Sequence, residues 1–291
     1  MSGILILAKR NAQCFFRDKG AVIFSFLTAL IVLILYFLFL RNVLIDSIFH
    51  GSWSIMSDDQ IPALMDTWAM AGVVGIVSVT SCAGSLQCLV EDKVTGKIVD
   101  FKMTSMKSWH IALSYVLSAF FVGLVISAAT LAVALIFMFS TGSSMPLTDV
   151  LLCILLLIPS TFSSAIIMFS LASFIRSMGA FSGFTIVMST IIGLLYGIYM
   201  PMVNLPGSVI FVGNLMPATH MAALFRQILC FGPLEQVFLP EDAAIFNKDM
   251  GVDIYLGDFQ FDALSSLLYA LGISALFFIA SVLLMRAKRE S

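Results

Sequence analysis

Long apolar intervals free of acidic and basic side chains alternate with short charged ones along this chain. They predict six membrane-spanning helices at about 21–40, 67–90, 111–139, 150–175, 179–200 and 263–285. Each interval meets or exceeds the roughly 20 residues a helix needs to cross ~30 Å of hydrocarbon. Helix is the form such runs must take, because lipid offers the backbone no hydrogen-bonding partners. The first interval is longer than the roughly 7–15-residue core of a signal peptide. It is followed by Arg41-Asn42 rather than a small-residue cleavage site, so it reads as a retained span.

Residues 177–225 form one interval without Asp, Glu, Lys or Arg, long enough for two spans. Pro201, Pro206-Gly207 and Pro217 punctuate its second half. The expectation is therefore one span to residue 200, then a re-entrant or surface-lying helical segment within an outer loop, 201–262. Non-helical backbone at that depth has to be sheltered by protein.

Charge then orients the chain. With six spans and both termini cytoplasmic, 12 of the 15 basic residues fall on the inner side, leaving Arg41, Arg226 and Lys248 outside. Twelve of the 17 acidic residues fall outside. Basic residues favour the cytoplasmic side of a membrane. A seventh span would move the acidic 235–262 stretch inside and break this agreement. Arg226, alone in an apolar stretch, is expected to be held by a protein group rather than lipid.

Before the first span, Leu5, Ala8, Ala12, Phe15 and Phe16 share one helical face, and Lys9, Arg10, Gln13 and Arg17 the other. Residues 4–19 thus suit a basic amphipathic helix lying at the inner membrane surface. A basic flank of the first span explains the charges equally well.

Composition agrees with lipid as the main solvent: 60% of residues are hydrophobic and 11% charged, against roughly 25% charged in a soluble domain. The whole chain, 1–291, reads as a single all-α transmembrane domain in the cell membrane. No basic tract with interleaved aromatics points to nucleic acid. The five cysteines lack CxxC spacing and read as small packing residues. His50, His110 and His220 have no partners at metal-ligand spacing. Gly96-Lys97 is the one Gly-Lys pair, but Glu91 and Ile98 stand where a phosphate loop needs Gly and Ser/Thr. No catalytic, cofactor or metal residue is assigned, and any ATP-driven motor has to be another polypeptide.

Two stretches carry functional signals. In the fifth span, Gly179, Gly183, Gly193 and Gly197 form two small-xxx-small pairs near one face. Such faces let helices approach closely, within one chain or across a dimer seam. Tyr196, Tyr199 and Met200 cluster at the end of that span; an aromatic belt or an adaptable lining for a lipophilic substrate both fit. The loop 91–109 carries both signs of charge with apolar Val94, Ile98, Phe101 and Met106. This suits a short surface helix that docks a soluble partner.

With these features in order, the chain resembles permeases of the second ATP-binding-cassette membrane family, with the type V exporter fold. The resemblance rests on three parts: the basic N-terminal helix, the acidic, glycine-containing 91–109 loop, and Met200-Pro201, Leu205-Pro206-Gly207 and Asn214-Leu215-Met216-Pro217. In the last part Asn214 and Pro217 are separated by two residues, unlike the family's Asn-Pro pair. The resemblance implies a permease, like drug and antibiotic exporters, that dimerises with a second copy or a related chain. It implies two cytoplasmic ATP-binding subunits that carry ATP and magnesium. Contact with that motor falls to Lys9, Arg10, Arg17, Glu91, Asp92, Gly96 and Lys97. A hydrophobic or amphipathic cargo, such as a drug, antibiotic or lipid-like molecule, would leave the cell. The alternative is a membrane immunity or assembly protein that binds a partner and moves nothing.

Overall fold

A computed structural model describes residues 2–49, 56–104, 106–140, 145–197 and 201–290. The helices are α1 (Ser2–Arg17), α2 (Lys19–Leu35), α3 (Arg41–Phe49), α4 (Ile61–Ser85), α5 (Gln87–Val94), α6 (Lys97–Met103) and α7 (Ser108–Ser140). They continue with α8 (Leu147–Ala172), α9 (Met178–Leu195), α10 (Gly207–Asn214), α11 (Pro217–Val237), α12 (Pro240–Asp249) and α13 (Ala263–Glu290). A small antiparallel hairpin, β1 (Ile254–Leu256) and β2 (Phe259–Phe261), precedes α13.

Six helices among the described residues are long and apolar enough to cross a membrane: Lys19–Ile48, Ile61–Val94, Ser108–Ser140, Leu147–Ala172, Met178–Leu195 and Ala263–Leu284. The first includes α2, a π-helical turn at Tyr36–Leu40 and α3. The fold is an all-α membrane bundle. Between the fifth and sixth spans, α10 and α11 form an apolar pair bent by 89°. Pro217 opens α11, where its missing amide costs nothing.

The second span is the central post. In its most apolar stretch 83% of residues are buried, against 17–22% for spans one, five and six. Small residues at Ala69, Ala71, Gly72, Gly75, Ser78, Ser81 and Cys82 let neighbours approach it closely. Near Gly75, a side-chain carbon on that glycine would lie 3.0 Å from the Tyr196 ring and 3.2 Å from Ala222 Cβ. The missing side chain is what lets α9 and α11 meet the post.

The two ends of the bundle differ. One carries α1, α5 and α6. The other carries α12 and the hairpin; there Phe246 of α12, with Phe238, Met250 and Val252 from the connecting segments, packs with Ile61, Leu64, Met65 and Trp68.

Candidate functional site

At the α6 end, the buried carboxylate of Asp92 gathers three elements. Arg10 reaches it from α1, with Nη1 paired to Oδ2 and Nη2 donating to Oδ1 at 2.9 Å. Tyr115 on α7 donates its hydroxyl to Oδ2 at 2.6 Å. Arg10 also donates to Asn11 Oδ1 and Cys88 Sγ, and lies 5.7 Å from the centre of the Phe101 ring. The hydrogen bond to Asp92 drives the Arg10 guanidinium further above its already high ordinary value. Asp92 is only 1% exposed, so it does not present itself at the surface.

Lys93, next along, caps the far end of the fourth span. Its Nζ donates to the carbonyls of Ala172, Ser173 and Ile175 at 3.2, 2.8 and 3.1 Å. These carbonyls lie at and just past the C-terminus of α8, where a cation is favoured. The α5–α6 corner is therefore fastened to α1, to the third span and to the fourth.

Gly96 makes that corner with φ +80° and open space around it. On α6, Ile98 and Phe101 turn inward against the core, as does Met106 just beyond. Val94, Val99 and Met103 point outward, Met103 being 83% exposed. Glu91, Gly96 and Lys97 are exposed, with Lys97 Nζ 4.0 Å from Glu91 Oε1. Lys9 and Arg17 are exposed on α1, with apolar Phe16 beside Arg17. Val99 and Met103 escaped the sequence reading, because seven residues of α6 give too little periodicity to sort in from out.

A groove of about 650 Å³ runs between α2 and α9, floored by α4. Its walls alternate aromatic rings (Phe15, Phe24, Phe181) with hydroxyls (Ser25, Thr28, Thr80, Ser182, Thr185, Ser189, Thr190), and Asp18 and Gln87 lie at one end. Most of the hydroxyl protons are bonded to a carbonyl of the same helix, as in Ser25 to Ala21 and Thr190 to Ile186. Their lone pairs remain, so these hydroxyls present acceptors to the groove. Thr80 Oγ1 is buried without a partner on the floor.

The α9 glycines divide. Gly179 and Gly183 are exposed, with nothing within 4 Å of where a side chain would start. Gly193 and Gly197 are buried. Gly197, at φ +68°, closes the helix in the left-handed conformation that favours glycine. Tyr196 is 1% exposed against Gly75 and Ala222, so it does not line the groove. Tyr199 and Met200 lie outside the described residues.

At the hairpin end, Arg226 is held by protein, as its isolation in sequence implies. Its Nη1 donates to the carbonyls of Met250 and Gly251, both at 3.3 Å, and Nη2 to that of Tyr196 at 2.6 Å. The guanidinium sits 4.3 Å from the centre of the Trp68 ring. Trp68 Nε1 joins the same Met250 carbonyl at 2.9 Å. Asp66 there repeats the arrangement at Asp92: it binds Arg41 at 2.7 and 3.1 Å and the Tyr36 hydroxyl at 2.9 Å.

Residues 67–284 match the family model of ABC-2 family transporter proteins, from the second span through the sixth. The chain belongs to this family. ABC-2 membrane proteins are non-catalytic transporter subunits that normally pair with an ATP-binding subunit. No curated protein matches the ABC-2 chain in a sequence comparison.

Proposed function

We propose that this chain is the permease subunit of an ATP-driven exporter, with its α6 end in the cytoplasm of a cell-membrane transporter. The observation that carries the reading is the α5–α6 corner. It exposes apolar Val99 and Met103 beside charged Glu91 and Lys97. It is also tied by Arg10, Asp92, Tyr115 and Lys93 to three parts of the bundle. A force applied there by an ATP-binding subunit reaches spans two, three and four through short, charge-assisted bonds. ATP and magnesium belong to that partner. Lys9 and Arg17 extend the docking face, while Arg10 and Asp92 act by positioning it.

Two copies, or this chain and a related one, meet along the exposed face of α9 at Gly179 and Gly183, where close helix approach is open. The groove between α2 and α9 then faces the seam. Rings beside acceptor oxygens, with Asp18 at one end, suit an amphipathic cargo that carries hydrogen-bond donors. Alternation between two packings of spans one and five would expose it to either side.

The test is purification of the tagged full-length chain from its native membrane in mild detergent. Co-purification of an ATP-binding-cassette subunit, with vanadate-sensitive ATP hydrolysis, supports the proposal. Recovery of the intact chain without such a subunit, under conditions that preserve other membrane complexes, overturns it in favour of a binding protein that transports nothing.

A further inference from the structure

A second groove lies away from the one between α2 and α9 and shares none of its lining residues. An apolar groove of about 630 Å³ runs between α8, α11 and α13, walled by Leu152, Leu155, Ile158, Leu264 and Leu267. Leu152, Leu155, Ile158 and Leu264 are roughly half exposed or more in the protein alone. At its hairpin end this groove meets a chamber of about 310 Å³ with mixed polar and apolar walls, and Gln227 and Ala263 line both. Besides Gln227, its polar lining is Arg226, Asn247, Asp253, Gln260 and Asp262.

The chamber's charges are unusual in being held apart from counter-ions. Arg226 is 1% exposed, its Nε–H has no acceptor, and no carboxylate among the described residues pairs with it. A buried guanidinium that meets only carbonyls and a ring retains a full positive charge to be balanced. Asn247 Oδ1 is likewise buried without a partner. Among the described residues Asp253 accepts only from amides, Gln227 at 3.3 Å and Gln260 at 3.2 Å. Burial raises its carboxyl above the usual range, with the Gln227 bond partly offsetting this. Among the described residues no cation lies within ion-pair reach of Asp253 or Asp262. Asp262 is exposed at the chamber's edge, where Oδ1 accepts from Ser265 N at 3.1 Å. Arg226 and Asp253 therefore share a small chamber without pairing with each other, and Asp262 adds a second carboxylate at its mouth.

We propose that this continuous groove and chamber bind a phospholipid with a zwitterionic, primary-ammonium headgroup, its phosphate toward Arg226, its ammonium toward Asp253 and Asp262, and an acyl chain in the α8–α11–α13 groove. A purely anionic head would meet two carboxylates, and a purely cationic one would meet a buried guanidinium. A head carrying both charges satisfies both. An apolar groove between spans one, two and three, about 400 Å³, has no polar chamber among its lining residues and marks what an unselective lipid contact looks like. The proposal does not depend on transport and stands or falls separately from it.

The test uses the full chain in nanodiscs of equal parts phosphatidylethanolamine, phosphatidylglycerol and phosphatidylcholine. One lipid at a time carries a photoreactive acyl chain, and labelled peptides are mapped by mass spectrometry. Labelling by the ethanolamine lipid should dominate at α8 and α13 around Leu155 and Leu264, and show no preference at the span one groove. Leu264→Trp, at an exposed position, should reduce labelling there alone. Asp253→Asn with Asp262→Asn should lower the preference over phosphatidylglycerol by about tenfold, the loss expected for a charge-assisted contact. Equal labelling by all three lipids at both grooves, or a preference unchanged by the double substitution, overturns the proposal.

Discussion

Tyr115 donates its hydroxyl to Asp92 at 2.6 Å, on the same buried carboxylate that grips the guanidinium of Arg10. One acidic side chain thereby joins an N-terminal surface helix, the end of the central span and the start of the third. Removing one member of a buried charged pair leaves the other uncompensated and costs about 3–5 kcal/mol. Arg10 is partly exposed, which places Arg10→Ala toward the lower end, about 3 kcal/mol. Tyr115→Phe loses one hydrogen bond and costs about 1–2 kcal/mol. Thermal unfolding in detergent should rank the two in that order, and in the proposed complex both should weaken the coupling of ATP hydrolysis to cargo. Equal stability of Arg10→Ala and wild type would contradict the network.

Gly96 is where the proposed coupling role can be tested apart from folding. Its φ of +80° with open surroundings means Gly96→Ala meets no clash and costs only the left-handed backbone preference, about 1–2 kcal/mol. Proline cannot adopt that angle, so Gly96→Pro must rebuild the corner. Gly96→Pro is expected to keep the helical content of the spans by circular dichroism and lose cargo-stimulated ATP hydrolysis. Normal stimulation in Gly96→Pro would sink the role assigned to the corner.

Gly251 and Gly257 form a matched pair at the hairpin end. Both have positive φ, +66° and +63°. At Gly257 a side chain meets nothing within 4 Å, whereas at Gly251 it would lie 2.7 Å from Met202 Sδ. Gly257→Ala should cost about 1–2 kcal/mol for backbone alone. Gly251→Ala should cost more, by the overpacking cost of roughly 1–3 kcal/mol. Melting curves that place the two variants together would show that Met202 yields freely.

The open stripe on α9 predicts self-association. Single cysteines at Gly183 and Ile186, both on its exposed side, should form disulfide-linked dimers under mild oxidation in native membranes. A cysteine at buried Phe181 should not. Cross-linking at Phe181 but not at Gly183 or Ile186 would place the seam elsewhere.

The spans were legible because lipid imposes a strict rule on length and charge, and Pro201, Pro206 and Pro217 marked where the fifth span stops and the bent α10–α11 pair begins. Arg226 was legible as a residue needing a protein partner, though its partners, Tyr196, Met250 and Gly251, are 24–30 residues away in sequence. Burial set by distant contacts was not legible. Asp92 looks like a surface residue of a charged loop until Arg10, 82 positions earlier, folds onto it. Tyr196 looks like a belt residue until the gap at Gly75 receives it. Ile98 and Phe101 look outward-facing until α6 is placed, and then Val99 and Met103 take that role.

The measurement that bears most directly on the proposed function is site-specific photo-crosslinking in native membranes. A photoreactive amino acid replaces Val99 or Met103 on α6, with Phe259 at the opposite end as the control. The account predicts that positions 99 and 103 capture an ATP-binding-cassette subunit and that position 259 does not. Capture of no such subunit at either α6 position, while the probe at 259 reacts normally with its own surroundings, would contradict it.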